Sequence, residues 1–563
     1  MNETKSSIDS FNVSMVNSST QNHDASFKPE PWNILVCSDL GFSSKEPSQV
    51  NIAEWNEFME SCHVCISGAI EGITGASGKS LYIEYPVLSI KDFLAPSIQE
   101  KTNVFASTGK TINALTRLVD GSITVNEAVS IVKSASLGQQ EKDLVMGMLG
   151  EKYTPPLSAP APAATSLSIN KILSMVDTGR SENPANPPDS ATQALLSSIS
   201  AGSIINIDKN RIRAYINSSK AKLAEQLLAF QNMPFFARRK ASWLCLQQCA
   251  KLVGRKKEIR LFVFSAPQKK MEEAVSGILA DCINSRTIPD IIVWDYAFSF
   301  TNANMESALS LATAADGCKS MTIAPLSVAD RFFTNIEKTD SLAQKLSEPG
   351  YLPFKKLQAD AVSRCLCLCG PDITIESAKP EDNSPNSIST GGCWPAIIRW
   401  IESVVFHGNP FAVPVFQNSQ ESTLSCGASF SHKIPSHILQ EATSSGLSLF
   451  GGSPASATPD YLITAIDQSV AGSAYSSFSF NLLVNRIARL AAMRITENAS
   501  TNKKAAAQEL ELFLTKELEA CHIKSSQELA TVKINADGGL DISINSDLSA
   551  GGVEAKFAFS LDF

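Results

Sequence analysis

Residues 151–166, EKYTPPLSAPAPAATS, constrain the fold most because they interrupt it. Proline, alanine and serine dominate this stretch, and no helical or strand periodicity runs through it. Proline fixes φ and lacks a backbone N–H, so such a stretch forms a semi-rigid spacer and not a packed element. The sequence therefore predicts two parts, residues 1–150 and residues 167–563, joined by a Pro/Ala linker.

Both parts mix strand-like and helix-like patterns. Apolar runs typical of buried strands occur at residues 34–37, 258–266 and 290–298. Helical spacing gives residues 211–230 one apolar face, made of Ile212, Ile216, Leu223, Leu227 and Phe230. We therefore predict an α/β (α+β mixed) fold, in which each part has a mixed sheet flanked by helices.

The two ends of the chain carry strand patterns. Residues 531–563 read as three strands with a hairpin turn at Asp537-Gly538. The last strand places apolar residues on one face, namely Val553, Ala555, Phe557, Phe559 and Leu561. Near the N-terminus a strand at about residues 9–16 alternates Phe11, Val13 and Met15. Each end either pairs within its own domain or exchanges strands with another copy, since an unblunted edge strand invites such pairing.

Composition excludes several classes of protein. The net charge is −8 and no basic tail is present, which argues against nucleic acid as a partner. No apolar stretch approaches the roughly 18 to 20 residues of a membrane helix, so we expect no direct membrane insertion. The first residues lack the pattern of a secretory signal, and 13 cysteines are scattered along the chain. These features predict a reduced, cytoplasmic protein.

Two tripeptides resemble the end of a phosphate-binding loop, at residues 78–80 and 109–111. Such a loop needs a glycine five positions earlier, where this chain has Ile73 and Val104. The first tripeptide also leads into a strand-like run and not into a helix. A nucleotide-binding enzyme that uses the GKS loop is therefore the less favoured hypothesis.

Other chemical motifs are weak. Cys62 and Cys65 form a lone CxxC, and the RCLCLCG cysteines near residue 367 alternate as strand residues do. Asp295 ends a buried strand, a position that active sites use, but a capping or turn role is favoured. We therefore predict no catalytic, metal or cofactor site.

The first part resembles the small subunit of the contractile sheath of bacterial type VI secretion systems. KPEPWNILVCSDLG is similar to its Pro-Phe-x-Ile-Leu-Val-x-x-Asp-Phe signature, with Trp32 in place of Phe. VNIAEWNEFMESC matches its Ile-x-x-x-x-Phe-x-x-x-Met stretch. Residues 81–118 match the next strand, the Ser-x-x-Asp-Phe-x-Pro turn and the following helices, so the GKS tripeptide falls between two strands and the GKT tripeptide near a helix start.

The second part resembles the large sheath subunit. Residues 221–253 are similar to its helix pair with Pro-x-Phe and Trp landmarks, although Arg239-Lys240 replaces the Leu-Glu before that Trp. IIVWDYAFSFTN resembles its Gly-Asp-Tyr-x-Phe strand. Three further segments follow in the family's order, at residues 322–333, 357–371 and 478–495. The resemblance therefore implies that the two subunits are fused in one chain.

The resemblance implies a structural protein and not an enzyme. Copies of the chain would polymerise helically around an Hcp-like inner tube protein, attach to baseplate components and shorten to propel the tube. Phe11, Val13, Met15 and the last strand would form the sheet shared between copies. A phage or phage-derived contractile tail sheath is the alternative within this class, and a monomeric soluble scaffold is a further one.

The resemblance also places two helices. A helix at residues 500–520 buries Leu510, Phe513, Leu514 and Leu518 on one face and would face the tube through its charged residues, Lys503, Lys504, Glu509, Glu511 and Lys516. An ordinary surface helix remains the other interpretation. The segment TSLSINKILSMVD sits where a ClpV-like AAA+ unfoldase recognises the family, and its apolar face would be Ile169, Ile172, Leu173 and Val176.

Overall fold

The computed structural model of the chain describes residues 28–74, 80–150, 208–254, 257–376, 388–408, 410, 431–432, 434–452, 461–463, 477–497, 502–525, 527–550 and 553–561. Three predicted segments lie outside these residues. They are the N-terminal strand with Phe11, Val13 and Met15, the linker 151–166, and the unfoldase-recognition helix with Ile169, Ile172, Leu173 and Val176.

The described β-strands are β1 (Trp32–Ser38), β2 (Ser48–Val50), β3 (Val64–Thr74), β4 (Ser80–Val87), β5 (Ile259–Ser265), β6 (Ile291–Trp294), β7 (Met321–Pro325), β8 (Leu366–Gly370), β9 (Ile373–Glu376), β10 (Ile388–Thr390), β11 (Ser448–Gly452), β12 (Tyr461–Ile463), β13 (Ala530–Ile534), β14 (Leu540–Ala550) and β15 (Val553–Leu561).

The described α-helices are α1 (Trp55–Ser61), α2 (Ala95–Lys101), α3 (Asn103–Val119), α4 (Val125–Ser134), α5 (Gln139–Met148), α6 (Lys209–Gln231), α7 (Pro234–Val253), α8 (Gln268–Asn284), α9 (Asn302–Gly317), α10 (Leu342–Leu346), α11 (Leu352–Ala359), α12 (Cys393–Glu402), α13 (Ser436–Ser444), α14 (Phe478–Glu497) and α15 (Lys503–Ala520). Helices and strands alternate along the chain, which confirms the predicted α/β class.

The largest sheet has eight strands in the order β12-β11-β8-β7-β6-β1-β5-β2. Its six central strands run parallel, and β12 and β2 pair antiparallel at the edges. Every residue of β1, β6, β7 and β8 is buried. Helices cover both faces of a parallel sheet, so its strands read as continuous apolar runs in the sequence.

Strand β1 comes from the first part of the sequence but lies inside the sheet of the second part. It pairs in parallel with β5 over residues 32–38 and with β6 over residues 34–37. The described residues of 1–64, 237–377 and 387–563 accordingly form one compact unit, and those of 65–236 and 378–386 form another. The compact units therefore do not follow the two-part division at residues 151–166, because the central sheet needs β1.

The second unit contains the β3–β4 pair and the helices α2 to α6. Its core holds an aromatic cluster in which Phe230 lies 4.8 Å from Phe236 and 5.6 Å from Tyr85, between ring centroids. The predicted apolar face of α6 is buried along its length, at Ile212, Ile216, Leu223, Leu227 and Phe230. Burial of that face holds α6 in place, as its spacing predicts.

A separate antiparallel sheet, β13-β14-β15, is built by the end of the chain and belongs to the first unit. β13 pairs with β14 around a turn in which Gly538 has φ +82°, a left-handed conformation that favours glycine. β14 then pairs with β15 from Leu540–Leu561 to Ala550–Val553. Three strands thus occupy the residues whose alternation predicts them.

Candidate functional site

The carboxyl ends of β1 and β6 are the first place to look for a ligand site. Across the sheet, five of the parallel strands lie in the order β5-β1-β6-β7-β8. β1 comes first in the chain and the next two of these strands lie on opposite sides of it, so the direction of strand order reverses between β1 and β6. Open α/β sheets bind ligands in the crevice at such a switch point. Asp39 follows β1 and Asp295 follows β6, which places both carboxylates at this edge.

Protein donors occupy the carboxylate of Asp295. Oδ2 accepts hydrogen bonds from Ser38 Oγ at 2.7 Å and from Ser242 Oγ at 2.5 Å, and Cys393 Sγ lies 3.9 Å from Oδ1. Arg238 Nη2 donates to the backbone oxygen of Asp295 at 2.5 Å. A carboxylate with this many internal donors holds β1, α7 and α12 together, which is a structural role.

Helix α7 covers the switch point with its own side chains. Arg239 Nη2 lies 3.1 Å from Asp39 Oδ2, and Trp243 Nε1 donates to the backbone oxygen of Leu40 at 3.0 Å. Trp243 is fully buried. Arg239 stands where the resemblance leads us to expect leucine, and in this chain it pairs with Asp39. Side chains of α7 therefore lie at the switch point and contact the residues that follow β1.

Asp372, two residues after β8, carries the most perturbed carboxyl of this edge. Burial and the nearby charge of Asp295 raise the pKa of Asp372 to about 7, and the Arg238 charge opposes that rise. The side chain is partly buried. A perturbed carboxyl marks a functional candidate only where substrate can reach it. Here it belongs to the same packed cluster as Asp295.

The two phosphate-loop candidates differ in position. Residues 75–79 lie outside the described part of the chain, and strands β3 and β4 flank them. The tripeptide at 109–111 lies in the interior of α3, not near its start as predicted. A Cβ on Gly109 would come 2.4 Å from Gln99 Nε2 of α2, the mobile end of a side chain that would have to shift. A phosphate cradle requires a loop before the helix, which residues 109–111 do not form.

The cysteines behave as apolar residues. Burial raises the pKa of Cys62 to about 12, and Cys65 is exposed on β3. Cys367 and Cys369 are fully buried on β8 with their sulfur atoms 3.6 Å apart. Among the residues that the structure describes, no group of three or more histidine, cysteine and acidic side chains could hold a metal ion.

The terminal sheet has two outer strands, β13 and β15. β15 pairs with β14, and its other edge pairs with no strand in the described part of the chain. Phe557, Phe559 and Leu561 are partly buried, while the residues between them are exposed. The ring of Phe557 contacts Phe480 of α14, with centroids 5.9 Å apart. Helix α14 thus supports one face of β15, while β14 is the strand that pairs with β15 among the described residues.

Helix α15 contacts the terminal sheet at its other outer strand, β13. Its predicted apolar face is buried at Leu510, Phe513, Leu514 and Leu518. Two of its predicted tube-facing charges contact the terminal sheet: Glu511 accepts from Val532 N at 2.8 Å, and Lys503 donates to Gly538 O at 2.9 Å. Lys504 and Glu509 are exposed and Lys516 is partly buried.

A buried ion network joins α14 and α15 to the start of β1, and the sequence reasoning missed it. Arg486 Nη1 lies 3.0 Å from Asp290 Oδ1, and Arg486 Nη2 lies 3.4 Å from Glu517 Oε2. Arg489 also pairs with Asp290. Burial alone would raise the pKa of Asp290, but the charges of Arg489 and Arg486 hold it below its usual value. Two arginines about one turn apart, within a stretch of α14 rich in leucine, isoleucine and alanine, were the available signal.

Searches against known protein families and against curated protein sequences gave no match to this chain. Within the described ranges, every helix is too short or too polar to cross a membrane.

Proposed function

We propose that this chain is the structural subunit of a contractile sheath of the type VI secretion kind, with the small and large subunits fused. Copies would polymerise helically around an Hcp-like inner tube and contract to propel it. The ordered set of sheath-like motifs in both parts suggests the family. The open edge of β15 is the structural observation that carries the proposal, because sheath assembly requires strands that pair between copies.

Strand exchange fits the features of β15. The strand spans nine residues, and its apolar face already rests on α14 through Phe557 and Phe480. An incoming strand would therefore gain backbone hydrogen bonds along a preformed edge at a small cost in ordering. The N-terminal segment with Phe11, Val13 and Met15 is the strand we propose for that edge, supplied by another copy.

The filled switch point supports a structural role over the nucleotide-enzyme alternative. Side chains of α7 and α12 occupy the crevice that a doubly wound enzyme keeps for its ligand. Residues 109–111, moreover, continue an α-helix. A phage or phage-derived tail sheath uses the same assembly logic and remains the second candidate within the class.

The proposal names partners and a compartment. Besides other copies of itself, the sheath would contact the inner tube, the baseplate and a ClpV-like unfoldase that recycles it. It would act in the cytoplasm, as the free cysteines among the described residues suggest. The tube contact would use Lys504, Glu509 and Lys516 of α15, with Glu511 and Lys503 holding the helix against the terminal sheet.

Negative-stain microscopy of the full-length chain, co-expressed with its tube protein, tests the proposal. We expect striated hollow tubules that are lost when residues 1–16 or 553–563 are deleted. An internal control deletes three residues of the linker 151–166, which leaves both ends intact and should preserve tubules. Dispersed particles from the full-length chain, with the tube protein present, would rule the proposal out.

A further inference from the structure

The backbone of Glu30 is held at both its polar atoms by buried charged side chains. Its N–H donates to Glu517 Oε1 at 2.7 Å, and its C=O accepts from Arg486 Nη2 at 2.5 Å. Three residues later, Asn33 N donates to Asp290 Oδ2 at 2.8 Å. Ordinary strand pairing would use neighbouring backbone here, so two carboxylates and an arginine serve as substitute partners.

The side chains that hold Glu30 are themselves fixed. Arg486 and Glu517 expose 3% and 2% of their side chains, and Asp290 exposes none. The Arg486 guanidinium stacks on the ring of Trp32 at 3.9 Å from its centroid. Trp32 meets Trp400 edge to face at 5.4 Å. Charge-assisted hydrogen bonds in such a buried site are stronger than neutral ones in water.

The same two helices carry the terminal sheet. Arg486 lies on α14, whose Phe480 packs on Phe557 of β15. Glu517 lies on α15, whose Glu511 accepts from Val532 of β13. The point where the N-terminal segment enters the fold is therefore joined to the C-terminal sheet through two helices and one ion network.

From this geometry we infer that Arg486 and Glu517 form a clamp that anchors the N-terminal segment to the helices bearing the terminal sheet. The purpose of this clamp rests on the proposed function. A segment that pairs with a neighbouring copy transmits force to its own copy at the residues where it is held, such as Glu30. Force entering at Glu30 then has a path to β15 through α14 and α15, in addition to the path along the backbone into β1. Each copy would then link its own N-terminal strand, which pairs with a neighbouring copy, to its own β15, which accepts a strand from another copy.

The clamp is tested by hydrogen exchange in residues 28–33, measured on the full-length chain under native conditions. Glu517→Ala removes the acceptor of the Glu30 N–H, and we expect exchange in this peptide to accelerate on the order of tenfold. Glu517→Gln keeps an acceptor oxygen and should exchange more slowly than Glu517→Ala. This second variant also serves if the alanine variant fails to fold.

A matched control is available in α12. Arg399 and Glu402 form another buried pair, 3.1 Å apart and 2% exposed on each side chain. Glu402→Ala should lower the unfolding temperature but leave exchange at residues 28–33 at the wild-type rate. Equal acceleration in Glu517→Ala and Glu402→Ala would show a general loss of stability and overturn the clamp.

A second readout separates the clamp from the proposed function. Where the wild-type chain forms tubules, tubules of Glu517→Gln should fragment under shear that leaves those of Glu402→Gln continuous. Equal resistance would overturn the clamp while leaving the sheath intact. If the wild-type chain stays dispersed, the sheath proposal fails, and the exchange measurement still decides whether Glu30 is clamped.

Discussion

Replacing Asp372 by asparagine should stabilise the protein at alkaline pH. Burial and the charge of Asp295 raise the pKa of Asp372 from 3.8 to about 7 in the folded chain. The folded state then binds a proton that the unfolded state has already released, so stability falls as pH rises from about 4 to about 7. Asparagine carries no charge in the folded or the unfolded state, so the variant does not lose stability through residue 372 as pH rises.

The size of the effect follows from the shift in pKa. Moving a carboxyl pKa from 3.8 to about 7 costs at most about 4 kcal/mol of unfolding free energy above pH 7. Because Asp372 is only partly buried, we expect the stability gap between Asp372→Asn and wild type to widen by roughly 2 kcal/mol from pH 5 to pH 8.

Urea unfolding followed by tryptophan fluorescence at four pH values between these limits measures the gap. Asp281→Asn on α8 is the control, because Asp281 is exposed and lies outside the Asp295 cluster. Its gap from wild type should stay constant across the range. Parallel curves for Asp372→Asn and wild type would refute the burial argument, since the variant would then remove no titrating group of raised pKa.

Three further predictions follow from the described contacts. Trp243→Phe loses the hydrogen bond to the Leu40 carbonyl and should lower the unfolding free energy by about 1 to 2 kcal/mol; an unchanged urea midpoint would contradict the role given to α7. Phe557→Ala should speed proteolysis within the terminal sheet without lowering the melting temperature of the main sheet, because it removes the contact with Phe480. Magnesium nucleotides at about 1 mM should leave the melting temperature unchanged, whereas a site at one hundred times its Kd would add about 2.7 kcal/mol.

The pattern of apolar residues predicts most of the elements correctly. Runs at 34–37 and 290–298 become β1 and β6, and helical spacing at 211–230 becomes α6 with its predicted face buried. Such periodicity reports local burial, which side-chain spacing encodes directly. The insertion of β1 between β5 and β6 is a long-range pairing, and no local pattern reports which strands become neighbours.

The buried charges show where local reasoning stops. In α14 Leu483 and Ile487 are buried, and so are Arg486 and Arg489. An arginine in a helix is normally assigned to the solvent side, because an unpaired buried charge is costly. Asp290 offsets that cost from nearly 200 residues earlier in the chain. Glu511 likewise has a partner that is distant in the local pattern, because it accepts a hydrogen bond from Val532 N of β13.

Cross-linking between two singly substituted chains tests the shared-strand account most directly. One chain carries Ser14→Cys, which the alternation places on the polar face of the N-terminal segment, and the other carries Ala558→Cys at an exposed position of β15. After the two are mixed, assembled and oxidised, the account predicts a covalent dimer on a non-reducing gel that neither chain forms alone above the wild-type background. A disulfide that forms only when both cysteines are in one chain, and never between mixed chains, would show that the segment pairs with its own copy and would contradict the account.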